Sequence, residues 1–105
     1  MTEISVHELK RRRDAGERLM LLDVREPDEI ATAALTDATF IPMAEVPGRL
    51  GDLPGDVPIV VMCHGGTRSG RVTGFLNAQG FPNAVNLAGG IDAWSESIDP
   101  TVPRY

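Results

Sequence analysis

Pro58-Ile59-Val60-Val61-Met62-Cys63-His64-Gly65-Gly66-Thr67-Arg68-Ser69 is the stretch on which the fold turns. Its first half is short, apolar and β-branched, which predicts a strand buried on both faces. Its second half opens on the chain's single cysteine and passes through two glycines. Beyond it Val72, Phe75, Leu76 and Gln79 recur at helical spacing, and Gly80 stops the helix. The order is buried strand, tight loop, amphipathic helix.

The same alternation extends in both directions. Upstream, Ser5-Val6-His7-Glu8 reads as a capping box, so a helix starts there and ends near Gly16. Val6 and Leu9 face inward, while His7 and the basic run Lys10–Arg13 face solvent. Leu19–Val24 is apolar without alternation and suits another strand covered on both faces. Pro27-Asp28-Glu29 opens a short helix, with proline and acids in its first turn. Phe40-Ile41 is a short strand closed by Pro42, and Met43–Leu53 is helical in part, interrupted at Pro47-Gly48. Downstream, Ala84–Leu87 is the last strand, and Gly89-Gly90 is a tight turn into a short helix with Trp94. Phe75, Phe81 and Trp94 are expected in the core. Helices alternating with strands predict a three-layer α/β/α fold around a central, mostly parallel sheet. Residues 4–100 make one domain, and 101–105 a short tail.

Composition excludes several classes. The chain has 105 residues, one domain's worth, with 42% hydrophobic and 24% charged residues, ordinary globular values. A net charge of -5 gives no global basic footprint for nucleic acid. One cysteine excludes an intrachain disulfide and a multi-cysteine zinc site, and suits a reducing compartment. Met1–Ile4 lacks the basic-then-apolar pattern of a signal peptide, and no run is long enough to span a membrane. A soluble, cytoplasmic protein is expected. His7, His64 and Cys63 lack metal-ligand spacing, and no metal or cofactor is called for.

Cys63 is the candidate nucleophile. It lies at the carboxyl end of a buried strand, where open parallel sheets bind ligands. Gly65 and Gly66 let the backbone curl so that successive amides converge on an anion. The amides and dipole of the helix start favour the thiolate. Arg68 adds a permanent charge, Ser69 is placed to cap the helix, and His64 and Thr67 complete the loop. Such a pocket suits two-step covalent catalysis at sulfur.

From Val60 to Trp94 the chain resembles the rhodanese family. The carrying residues are Cys63, Gly66, Arg68 and Ser69, then Gly80, Phe81, Leu87, Gly89, Gly90, Ile91 and Trp94. Leu22–Glu29 resembles the family's upstream Asp-Val-Arg-Glu motif, and Ile41-Pro42 the Ile-Pro after it. The resemblance covers nearly the whole chain. It implies a sulfurtransferase that moves a sulfane sulfur, from a donor such as thiosulfate, to cyanide, a thiol or a sulfur-carrier protein. Cys63 carries the sulfur as a persulfide. Arg68 and the loop amides steady it, and Asp23 and Arg25 organise the strand end below.

The chain departs from the family at Ala33–Ala38, where Gly-His-Ile-Pro-Gly-Ala is usual. The customary histidine's packing and hydrogen bonds must be met by other groups. Phosphatases and arsenate reductases of the same fold have a loop one residue longer. The four residues between Cys63 and Arg68 make a pocket sized for sulfur rather than phosphate. The first alternative is a non-catalytic binding or regulatory module on the same fold, and the lesser one a phosphatase or arsenate reductase of that fold. The tail, Ile98 to Tyr105, resembles the ending of rhodanese domains fused to enzymes that activate ubiquitin-like sulfur carriers, and also reads simply as a proline-stiffened segment on the surface.

Overall fold

A computed structural model describes residues 2–105. In chain order the elements are β1 (Glu3–Ile4), α1 (Val6–Asp14), β2 (Met20–Asp23), α2 (Pro27–Thr32) and β3 (Ala38–Phe40). A 3-10 segment (Met43–Asp52) follows, then β4 (Ile59–Met62), α3 (Thr67–Ala78), β5 (Ala84–Leu87) and α4 (Gly90–Ser97). The sheet order is β1-β5-β4-β2-β3, with every pairing parallel. No helix among the described residues is long and apolar enough to cross a membrane.

The strands divide their side chains between two cores, as the pleat requires. Leu21, Val60, Met62 and Leu87 point to one face, where they meet Val6 and Leu9 of α1 and Ile91 and Trp94 of α4. Leu22, Ile59, Val61 and Cys63 point to the other, against Val72 and Leu76 of α3 and Val46 of the 3-10 segment. Both faces of β4 are therefore buried, which is why its sequence is apolar throughout.

The structure adds to and corrects the sequence expectations in detail. The sheet is wholly rather than mostly parallel, and β1 is an added fifth strand. Its two residues are too few to show a period. They are held by Asn86 N donating to the Thr2 carbonyl (2.9 Å) and Ala88 N to the Ile4 carbonyl (2.9 Å). At α1 only half of the expected capping box forms. Glu8 N donates to Ser5 Oγ (3.0 Å), but the Glu8 carboxylate is taken by Arg11 Nε (2.6 Å). The break in the 3-10 segment falls at Arg49 rather than at Pro47-Gly48. Proline's fixed φ is compatible with a helical turn, and only its donor is lost.

Topology places the site. From β2 the chain moves outward to β3, and from β4 it moves the other way to β5. The loops after these neighbouring strands diverge and leave a crevice at their carboxyl ends, the switch point where ligands bind in such sheets. Asp23 ends β2 there with Val24 and Arg25 after it, and Cys63 follows β4.

The start of α4 closes this end of the sheet. Ile91 N donates to the Cys63 carbonyl (3.0 Å) and Asp92 N to the His64 carbonyl (3.1 Å). Gly90, at φ +59°, permits that approach, and a Cβ there would lie 2.5 Å from the Cys63 carbonyl oxygen. Gly90→Ala is therefore expected to lower stability by about 2 kcal/mol or more, measured by urea unfolding. A variant as stable as wild type would show that α4 does not brace the loop.

Candidate active site

Cys63 is 1% exposed, and its sulfur is ringed by donors. Gly66 N donates to Sγ at 3.1 Å and the Ser69 hydroxyl donates at 3.3 Å. Burial alone pushes the thiol up. The Ser69 hydroxyl and the amides of Ser69, Gly66 and Gly65 outweigh it, so the thiol lies below its ordinary value.

The loop achieves this through one glycine. Gly66 sits at φ +107°, and a Cβ on it would lie 3.3 Å from Gly89 N and 3.6 Å from the Leu87 carbonyl oxygen. Its carbonyl accepts from Asn86 Nδ2 of β5 at 3.2 Å. Gly65 has open space where a Cβ would be and no positive φ, so the curl expected of both glycines is a requirement at Gly66 only. Thr67 is the first residue of α3 and is exposed.

Ser69 is not the helix cap. Gly66 holds the N-cap position and α3 starts at Thr67, which leaves Ser69 in the first turn. The early start brings its hydroxyl inward, where it is fully buried and meets the sulfur instead of a backbone amide.

Arg68 does not turn its fork toward the sulfur. Its Nη1 and Nη2 donate to Glu29 Oε1 (2.7 Å) and Oε2 (2.9 Å) of α2. This pairing holds the guanidinium above its usual range, and the nearby Cys63 charge adds to the effect. Arg68 thus makes no hydrogen bond to the sulfur, while the Gly66 amide and the Ser69 hydroxyl touch it. Glu29 is held down to about 2, mainly by Arg68, against some upward push from burial and with help from Glu26 and Tyr105.

Asp23 and Arg25 form a fully buried pair beneath the loop. Arg25 Nε and Nη2 donate to Asp23 Oδ1 (3.0 Å) and Oδ2 (2.8 Å). Nη2 also donates to the Ala33 carbonyl (2.8 Å), and Nη1 to the Tyr105 hydroxyl (2.8 Å). A buried guanidinium is tolerable only when its donors are occupied in this way. Ala33, in the segment that departs from the family pattern, thus takes part through its backbone.

Glu29, Asn86, Gly90 and Tyr105 escaped the sequence reading as site residues. Glu29 looked like an ordinary first-turn acid. Asn86 was one polar residue in a short strand. Tyr105 lies in a tail that the sequence leaves with two readings, neither of which places it in the site, yet its hydroxyl lies between Arg25 and Glu29, and its ring centroid is 4.2 Å from that of His64. Among the described residues, no group of three or more His, Cys, Asp or Glu side chains could hold a metal ion.

A lone cysteine in an amide cradle, at the switch point of a parallel sheet, has the surroundings of a reactive thiol rather than of a plain core residue. Comparison with known proteins narrows the reading. The rhodanese-like domain matches residues 5–97, and the chain belongs to that family. It is 36% identical over 102 residues to a sulfurtransferase of Allochromatium vinosum, covering 97% of this chain and 95% of that one. It is 39% identical over 98 residues to the putative sulfurtransferase YtwF of Bacillus subtilis, covering 93% and 94%. The crystal structure of a rhodanese-related protein from Thermoplasma volcanium superposes with a TM-score of 0.86 at 30% identity, covering 100% of both chains.

The ordinary thiol value is 9.0, and Cys63 lies below it. Alkylation by iodoacetamide is therefore expected to rise with pH through a midpoint below 9.0. In Ser69→Ala that midpoint should move up by about one unit, the effect of one hydrogen bond to a charged sulfur. A wild-type midpoint at or above 9.0 would contradict the cradle's role.

Proposed function

We propose that the protein transfers sulfane sulfur by way of a persulfide on Cys63, taking it from a small donor such as thiosulfate. The Cys63 thiolate attacks the outer sulfur of the donor. A Cys63–sulfur bond forms, the donor's sulfur–sulfur bond breaks, and sulfite leaves with the electron pair. In the second step an acceptor (cyanide, a thiolate or a sulfur-carrier protein) attacks the outer sulfur. The bond to Cys63 breaks, and the thiolate is regenerated. No net oxidant or reductant is consumed.

The single observation that carries this reading is the set of donors on the sulfur of a residue only 1% exposed: Gly66 N at 3.1 Å and Ser69 Oγ at 3.3 Å. Donors fixed before reaction stabilise negative charge at sulfur in both the thiolate and the persulfide. A cysteine buried only as a small hydrophobe has no need of them. The short loop between Cys63 and Arg68 supports sulfur over phosphate. The resemblance of the tail to that of rhodanese domains serving ubiquitin-like carriers supports a carrier protein as acceptor. A free thiol with no disulfide partner supports a reducing compartment, and we place the protein in the cytoplasm.

Steady-state thiocyanate formation from thiosulfate and cyanide tests the reading. Wild type is expected to turn over and Cys63→Ser to fall to background with an unchanged melting temperature. Undiminished turnover in a folded Cys63→Ser variant would overturn it.

A further inference from the structure

After α4 the chain runs along the α1/α4 side of the sheet, and its last residue reaches the site. Thr101 is fixed by Asp99, whose Oδ1 accepts from Thr101 N (3.1 Å) and Oγ1 (2.6 Å). Val102 is buried in the core that also holds Trp94 and Leu35. Arg104 Nε and Nη2 fork onto Asp92 Oδ1 (2.9 Å) and Oδ2 (3.1 Å). Asp92 is the residue whose amide holds the His64 carbonyl. The segment is thus pinned at both ends of its path before it reaches Tyr105.

Tyr105 touches three parts of the site. Its hydroxyl accepts from Arg25 Nη1 (2.8 Å) and donates to Glu29 Oε2 (2.8 Å). Its ring lies against His64 at 46°. Burial is the main cause holding the phenol above its ordinary value, so it remains a neutral donor. Every position on Glu29 is then spoken for: Oε1 by Arg68 and Glu26 N, and Oε2 by Arg68 and Tyr105.

We propose that residues 99–104 anchor the segment beside α1 and α4, and that Tyr105, which alone reaches the rim of the Cys63 cradle, is a positioning and donor-selecting residue for sulfur transfer. The inference rests on Cys63 being the sulfur carrier. The hydroxyl holds Glu29, and through it Arg68, at a fixed distance from the sulfur. The ring backs His64 and narrows the approach to a cysteine that is almost wholly enclosed. Slender donors such as thiosulfate pass this rim, whereas bulky persulfides are handicapped by it.

The two functions of Tyr105 separate in two variants. Tyr105→Phe keeps the ring and removes the hydroxyl, leaving Glu29 Oε2 to Arg68 alone. Tyr105→Ala removes both. The readout is the ratio of kcat/KM with glutathione persulfide to kcat/KM with thiosulfate, in which any general loss of stability cancels. Tyr105→Phe is expected to raise the KM for thiosulfate while leaving its kcat within about twofold. Tyr105→Ala is expected to raise the donor ratio by about fivefold, the size of a modest steric discrimination. If wild type transfers sulfur and the ratio stays within about twofold in Tyr105→Ala, with the thiosulfate KM unmoved in Tyr105→Phe, this inference alone falls. If wild type takes sulfur from neither donor, the reading of Cys63 falls with it.

Discussion

Putting a thiolate where water cannot reach it is unfavourable unless fixed dipoles replace the lost hydration, and this constraint governs the carboxyl end of the sheet. Cys63 is 1% exposed, and the elements around it supply the replacement. Gly66 adopts a backbone conformation that turns its amide to the sulfur. The first turn of α3 brings in Ser69. The first amides of α4 take the carbonyls of Cys63 and His64, so the loop's own amides are left for the anion. Asn86 of β5 holds the Gly66 carbonyl from the side. Each hydrogen bond to a charged group contributes about 1.5–3 kcal/mol, enough in combination to outweigh burial.

The charged residues below and beside the cradle obey the same logic at longer range. Arg25 is neutralised by Asp23 and Arg68 by Glu29, so the two guanidinium groups bring little net positive charge. Stabilisation of the sulfur anion falls mainly to backbone amides and one hydroxyl, whose positions are set by the fold rather than by flexible side chains. A site of this kind is preorganised: its dipoles need not reorient when negative charge develops on the Cys63 sulfur. Arg25 also ties the end of β2 to α2 through the Ala33 carbonyl and so holds Glu29 where Arg68 can meet it.

What could be read from the sequence was local. β4 and α3 declared themselves because an apolar β-branched run meets a glycine loop and then a helical period. Cys63 stood out because it sits between them. The capping role expected of Ser69 follows a sound preference, but here the loop turns into the helix at Gly66, whose positive φ no other loop residue shares and which lies three residues earlier. The partners of the site were not legible because they are distant. Glu29 lies 39 residues from Arg68, and Tyr105 lies 80 from Arg25. Nothing in the spacing of a tail marks it as part of a pocket. Gly89-Gly90 was readable as a turn, but its use as a brace appears only when α4 is packed against the loop.

The central claim is that Cys63 holds a sulfur atom between donor and acceptor. Intact mass spectrometry without reductant, after incubation with thiosulfate or with a small persulfide, tests it most directly. Wild type should gain about 32 daltons, one sulfur atom bonded to the nucleophile, and Cys63→Ser should gain nothing. A wild-type mass unchanged by both donors, or an equal gain in Cys63→Ser, would contradict the account.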